Sequence, residues 1–514
     1  MGSQKNLGHI WQENIQRYGS YPALIYEGRE YTNVYCDEHS SRLAHVLRKR
    51  GIQKGDVVAL CMPNCPEALM AMAGSWKIGA AVVLMLPQLQ VAEVTHILQD
   101  SGARIVLTTP DLLPKMREAA RGLATSPQVY TLAASGEGSL HEQLVQAPSH
   151  LPEVGLDEDD LAVLLYTSGT TGSPKGVRLS HRNLYANAEA TAHSAKILQL
   201  RKNRANLGVL PLAHAFGLTM MHVSILIGDT TVLLPQFDPV RVLEAIQTYR
   251  ITHASMVPTM MYALYHHPAA DKYDTSSFFL CISGSAALSR TLAEGFQKKF
   301  SCLVLEGYGL SEAGPIVAAT DPSKGIRPGS VGVPLPGVQV AVVDEQGNRL
   351  PPGEVGELIV SGPNVSQGYH NKSEETERVF RDGWLYTGDL ARIDEDGFIY
   401  IVDRKKDIII RGGLNIYPRD VEELLLRHPE VVDAAVVGVP SERMGEEVAA
   451  FVVVRPGASV TAEELIAFCQ EGLAKYKTPR FLYLVESLPK NDIGKTDKKQ
   501  LRQWAQERCG QLQL

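Results

Sequence analysis

Tyr166-Thr167-Ser168-Gly169-Thr170-Thr171-Gly172-Ser173-Pro174-Lys175-Gly176 follows an apolar run, Leu161 to Leu165, and precedes a segment that reads as a helix from about Asn183. The apolar run has the length and composition of a buried strand, so the hydroxyl- and glycine-rich stretch reads as a loop leading from strand to helix. Backbone N–H groups and hydroxyls in such a loop can surround phosphate oxygens, and Lys175 adds a point charge. A flexible surface linker would share this composition. The P-loop of NTPases does not fit, because it ends in Gly-Lys-Ser/Thr and Lys175 stands between Pro174 and Gly176. Nucleotide handling is the first hypothesis.

The flanking sequence supplies the architecture. Strand-like segments near Asp56 to Met62, Ala81 to Leu84 and Ala103 to Leu107 alternate with helix-like ones near Pro66 to Gly79 and Val91 to Ser101. That rhythm predicts a parallel sheet clothed by helices. It resumes through Leu207 to Leu212, Thr230 to Leu234, His253 to Val257 and Leu280 to Ser283. From about Gly329 to Tyr400, short strands separated by turns such as Asp344-Glu345-Gln346-Gly347-Asn348 predict a β-rich subdomain. Beyond Asp403 the pattern is that of a small α/β unit: a helix over Pro418 to Arg427, strands over Val431 to Val439 and Val448 to Val454, and a helix opened by the Thr461/Glu464 capping box. The expected organisation is α/β, with a large N-terminal domain over 1–403, its β-rich part at about 329–400, and a small C-terminal α/β domain over 404–514. The charged run Asp403-Arg404-Lys405-Lys406-Asp407 marks the candidate hinge, although a solvated face would look the same.

Bulk properties narrow the function. A chain of 514 residues is too long for one ordinary core. A net charge of −7 disfavours electrostatic binding of nucleic acid. Seven scattered cysteines, with no Cys or His pair to complete a zinc site beside Cys61 and Cys65, predict core thiols and a reducing, cytoplasmic setting. The opening residues do not read as a signal peptide, and Asn6 stands where myristoylation wants Ser or Thr. The near-apolar stretch Ala68 to Leu86 is interrupted by Gly74, Lys77 and Gly79, so it reads as a buried helix and strand rather than a membrane span. Peripheral membrane contact stays open, as does the choice between monomer and homodimer.

Several further segments carry chemistry. Glu306-Gly307-Tyr308-Gly309-Leu310-Ser311-Glu312 and Ser283-Gly284-Ser285-Ala286-Ala287 each follow a predicted strand, and ligand sites in open parallel sheets form at such ends. Glu312 offers oxygen ligands to a hard cation such as Mg²⁺, or is a plain surface carboxylate. Asp389, in Tyr386-Thr387-Gly388-Asp389, is a short turn carboxylate suited to accept from paired hydroxyls. Lys495 lies near the chain's end in Gly494-Lys495, and Arg411-Gly412-Gly413-Leu414 pairs two glycines that allow either a close backbone approach or a hairpin turn.

In order and spacing these segments resemble the adenylate-forming superfamily, in particular its acyl-CoA synthetase branch, over almost the whole chain. The resemblance implies that Thr167, Ser168, Gly169, Thr170, Thr171, Gly172 and Lys175 hold the phosphates of ATP. It assigns Gly284, Ser285 and Ala286 to adenine, Gly307, Tyr308, Gly309 and Ser311 to the nucleotide region, and Asp389 and Arg404 to ribose. Ser311 stands where the family has threonine, and the full Tyr-x-Thr-Gly-Asp pattern is not matched at Asp389. Glu312 becomes the Mg²⁺ ligand, Lys406 the hinge, and Lys495 the lysine that bridges carboxylate and α-phosphate. Gly412 and Gly413 would line the path of coenzyme A, with Tyr476 and Arg480 near its nucleotide end.

Lining residues for the acid, by family position, are His214, Phe216, Val257, Pro258, Tyr308, Pro315 and Ile316. His214 is also a catalytic candidate, or a hydrogen-bonded core histidine. None of these segments carries Arg or Lys, which disfavours a second carboxylate on the substrate. The implied activity is ATP-dependent synthesis of an acyl-CoA from an apolar acid, first a medium- or long-chain fatty acid and second an aryl or arylpropenoic acid. A stand-alone acyl-AMP ligase loading a carrier protein, a luciferase-type oxygenase and a non-catalytic nucleotide-binding module are the rivals.

Overall fold

The structure is a computed structural model, and it describes residues 5–151, 154–167, 174–194, 204–490 and 495–511. Two sheets dominate the first 334 residues, and their strands are built from short Val/Leu/Ile/Ala runs buried on both faces. In the six-stranded sheet the order is Gln128–Thr131, Ile105–Thr108, Val57–Cys61, Ala81–Met85, Leu161–Thr167 and Lys175–Ser180. The first five are parallel and the last turns back antiparallel. The nine-stranded sheet has six parallel strands in the order Leu303–Gly309, Leu280–Ser283, His253–Met256, Ala205–Gly208, Thr230–Leu233 and Pro22–Tyr26, with antiparallel additions at both edges.

A β-rich layer follows. Gln339–Val343, Gly356–Ser361, Trp384–Ile393 and Ile399–Arg404 form antiparallel neighbours, interrupted by the helix Ser373–Val379. The predicted turn at Asp344 is confirmed, with the Asp344 carboxylate accepting from the backbone of Gln346 and Asn348. The last sheet carries Leu414–Ile416, Ile409–Arg411, Gly445–Val454, Val431–Ser441 and the parallel strand Phe481–Leu484, covered by the helices Pro418–Leu425, Ala462–Gly472 and Lys498–Gln511. The Thr461/Glu464 capping box is formed.

Two expectations are corrected. The strand expected over Leu207 to Leu212 spans Ala205–Gly208 and stops there; beyond it the Asn64 side chain, not a neighbouring strand, bonds the Leu210 carbonyl and the Leu212 N–H. Between the loop and the helix expected from about Asn183 lies an edge strand that was not expected, Lys175–Ser180, paired with Leu161–Thr167 so that Thr167 faces Lys175. The helix begins after that strand, at His181. The apolar stretch near Ala68 divides as expected into the helix Pro66–Lys77 and the buried strand Ala81–Met85. Among the described residues no helix is long and apolar enough to cross a membrane.

Candidate active site

The parallel register brings two of the candidate segments side by side. Ser283 pairs with Glu306, so Gly284-Ser285 and Gly307-Tyr308 leave the same edge of the nine-stranded sheet. Ser285 has φ +69°, a left-handed conformation uncommon for a residue with a Cβ, and such strain clusters at functional positions. Gly284 lies against the Phe216 ring, since a Cβ there would stand 3.1 Å from ring carbons. Ala286 and Gly309 complete these two segments.

Asp389 is buried and already has partners. Its Oδ2 accepts from the Tyr308 hydroxyl at 2.6 Å, and its Oδ1 lies 3.3 Å from Arg404 Nε. The antiparallel pairing of Asp389 with Arg404 sets this contact. The Asp389 N–H donates to Thr387 Oγ1, and the Gly388 N–H to Glu357, which also pairs with Lys405. Burial and the Asp389 carboxylate both push the Tyr308 phenol well above its ordinary range, so it stays a donor.

Glu312 follows Ser311 in a single 3₁₀ turn, and its Oε1 accepts from the Tyr369 hydroxyl at 2.8 Å. Tyr369 is beside Lys175 because Gly368-Tyr369-His370 runs along the edge strand: Arg178 N–H donates to the Gly368 carbonyl and His370 N–H to that of Gly176. The Lys175 ammonium stands 5.7 Å over the Tyr369 ring and 3.6 Å from Glu375. Tyr369 and Glu375 were not found by sequence reading, since no local pattern marks a partner 57 residues from Glu312. Ser168, Gly169, Thr170, Thr171 and Gly172 lie outside the described residues.

Lys495 completes the group. It is partly buried within electrostatic reach of Arg404, Asp389, Glu312 and His214. Burial first, and the Arg404 charge second, draw its ammonium from 10.5 down to about 8, with Asp389 and Glu312 opposing. His214 is the N-cap of the helix Ala215–Ile227, and its Nδ1 accepts from Phe216 N–H at 3.4 Å. Burial and the Lys495 charge lower it to about 4, so at neutral pH it is an uncharged ring with its proton on Nε2. Glu306 is a further buried carboxyl on the site strand, raised to about 7 by burial, with Arg419 opposing and Glu423 reinforcing.

Phe216 and Ile316 belong to a buried apolar cluster with Leu305 and Met220, and Val257 packs against it. Pro258 opens the helix Pro258–His266, and Pro315 precedes Ile316 at the start of the strand Ile316–Ala319. Lys406 sits exposed in a 3₁₀ turn, Lys405–Asp407, and partial desolvation, with the Arg404 charge, lowers its ammonium. Gly412 and Gly413 have φ +59° and +81° and form the two-residue turn of the hairpin Ile409–Ile416, so of the two readings the turn is realised. Arg411, just before this turn, pairs with Glu447, which also pairs with Arg480, and Arg411 donates to the Tyr476 carbonyl.

The fold and this convergence define an adenylate-forming α/β ligase. The chain belongs to the AMP-binding enzyme family: that family's model matches residues 11–370, and the model of the AMP-binding enzyme C-terminal domain matches 420–495. It is an enzyme, an acid–thiol ligase of the AMP-forming class. It is similar to the long-chain-fatty-acid–CoA ligase of Bacillus subtilis (37% identical, covering 97% of this chain and 94% of the relative). Feruloyl-CoA synthase of an Amycolatopsis species is 38% identical over 93% and 95% of the two chains. The crystal structure of ATP-bound MatB from Rhodopseudomonas palustris superposes with a TM-score of 0.90 at 33% identity, covering 98% and 99%.

Proposed function

We propose that this enzyme activates an apolar carboxylic acid, in first place a medium- or long-chain fatty acid, as its acyl-adenylate and transfers the acyl group to CoA with release of AMP and pyrophosphate. The observation that carries the reading is the gathering of Lys495, Arg404, Asp389 and Glu312 near His214, whose neighbour Phe216 belongs to a buried apolar cluster. A carboxylate attacking an α-phosphate brings two anions together, and an ammonium between them stabilises the charge that builds in the transition state. Lys495 has that role, with Lys175 and Thr167 on the departing pyrophosphate. Asp389 and Arg404 hold the ribose, and Gly284, Ser285 and Ala286 the adenine. The uncharged His214 ring and Tyr308 border the reacting carboxyl.

One oxygen of Glu312 takes the Tyr369 hydroxyl, and the other fits Mg²⁺, an ion that favours one or two carboxylates together with phosphate oxygens. The bound ion would neutralise phosphate charge. Among the described residues no group of three or more His, Cys, Asp or Glu converges, which suits an ion held largely by substrate. After adenylation, rotation of 404–514 about Lys406 would withdraw Lys495 and bring up the Gly412-Gly413 turn.

A second acid class has its own support. The Phe216 ring lies against Gly284 in the apolar cluster, an aromatic face suited to a flat aryl or arylpropenoic acid, and the Amycolatopsis relative is named a feruloyl-CoA synthase. A pyrophosphate-release screen across fatty and arylpropenoic acids, with and without CoA, tests the proposal. Acid-dependent release and a CoA thioester are expected; activity with dicarboxylic or amino acids alone would refute the apolar-acid reading.

A further inference from the structure

The small domain contains a buried carboxylate that none of the roles above employs. Glu447 lies on the strand Gly445–Val454 with 3% of its side chain exposed. A buried carboxylate needs compensation, and Glu447 has two guanidiniums, from the two segments that share one edge of its strand. Arg411 Nε stands 2.6 Å from its Oε2 as an ion contact, and Arg480 Nη1 donates to its Oε1 at 3.0 Å. Arg411 comes immediately before the Gly412-Gly413 turn, and Arg480 immediately before the strand Phe481–Leu484.

The two arginines differ in what they leave free. Arg411 is 18% exposed and commits Nη1 to the Tyr476 carbonyl at 2.9 Å, so it is an internal brace. Arg480 is 57% exposed, held on one side by Glu447 and open on the other. Tyr476 is 36% exposed. We propose that Glu447 is a positioning residue for the acceptor. It fixes Arg480 directly, and the Tyr476 backbone through Arg411, so that one edge of the small sheet offers a preset cation, with an aromatic residue on an anchored backbone, to the phosphorylated adenine end of CoA. A guanidinium pairs with phosphate by parallel N–H bonds, and an aromatic face stacks on a base. Fixing the guanidinium and the Tyr476 backbone before binding removes an ordering penalty. The proposal rests on CoA being the acceptor. Every member of the network belongs to the small sheet and its connections, so it holds in either orientation of the two domains.

The test uses full-length enzyme and Glu447→Gln, which keeps the side chain's size and removes its charge. The readouts are KM for CoA, acid-dependent ATP–pyrophosphate exchange without CoA, and calorimetric binding of adenosine 3′,5′-bisphosphate. KM for CoA and Kd for the bisphosphate are expected to rise about tenfold, with kcat and exchange held within about twofold and partial rescue by Glu447→Asp. An unchanged KM for CoA in folded protein overturns the proposal, as does a proportional fall in exchange and kcat, which would mark a merely structural role. Should Glu447→Gln fail to fold, the exposed Arg480→Ala must raise KM for CoA to a similar extent, and an unchanged value overturns the proposal. Wild-type enzyme that exchanges pyrophosphate yet forms no CoA thioester refutes the acceptor reading itself, before any variant is made.

Discussion

The cluster around Asp389 and the network around Glu447 are both built from carboxylates facing guanidiniums, yet they are assembled in opposite ways. Asp389 draws Tyr308 from the nine-stranded sheet, Arg404 from the junction and Lys495 from near the chain's end. Glu447 draws only on residues between Arg411 and Arg480, all within the last sheet and its connections. In the first arrangement Asp389, Tyr308 and Arg404 are held together by the β-rich layer and the nine-stranded sheet, and Lys495 joins them from the C-terminal part. The second lies within the C-terminal sheet and its connections. A group that must act once and then leave suits a junction, whereas a group that must receive a second substrate suits a self-contained edge.

Breaking the junction should have the largest effect. Lys495→Ala is expected to lower acid adenylation by about 10²- to 10³-fold, the range seen when one preorganised charge-stabilising group is removed. Thioester formation from synthetic acyl-adenylate should stay within about threefold, as single-turnover assays would show. Equal loss in both half-reactions would erase the distinction between the two regions. Next, Asp389→Asn keeps the shape but weakens the Tyr308 and Arg404 contacts. A fall of about 10- to 100-fold in kcat/KM for ATP is expected, the worth of a hydrogen bond to a charged group, with KM for CoA little changed.

The pH dependence sharpens the contrast. The Lys495 ammonium must be protonated to stabilise the anions, and its value of about 8 places its loss well below the ordinary 10.5. Adenylation should then fall about tenfold per pH unit above pH 8, and the limb should move upward in Lys495→Arg. Glu306, at about 7, would place a limb a unit lower that Lys495→Arg leaves in place. His214, at about 4, stays neutral from pH 5 upward and contributes none there. The smallest effect belongs to Glu375→Gln. Lys175 and Glu375 are 3.6 Å apart and partly exposed, so releasing Lys175 should lower KM for ATP by about two- to threefold.

Much of this was readable from residues in order. The strand end at Ser283 follows from an apolar run bounded by Gly and Ser, and the Thr461/Glu464 box from a spacing of three, whereas the strand expected to end before Glu306 runs on to Gly309 by pairing with Ile316–Ala319. The edge strand Lys175–Ser180 was missed because short alternating runs beside a loop also fit the approach to a helix. Tyr369 was missed for a related reason: it reaches Lys175 and Glu312 through bridging along that edge, a pairing between distant segments. Glu447 is one acid in Gly445-Glu446-Glu447, and only the folded sheet distinguishes it from its neighbour.

The central claim is that carboxylate and AMP are joined before any thiol arrives. Acid-dependent exchange of labelled pyrophosphate into ATP, measured with no CoA present in wild-type and Lys495→Ala enzyme, tests it most directly. Rapid exchange in the wild type and its near-disappearance in the variant are predicted. Exchange that requires CoA, or that survives loss of the Lys495 ammonium undiminished, would contradict the account.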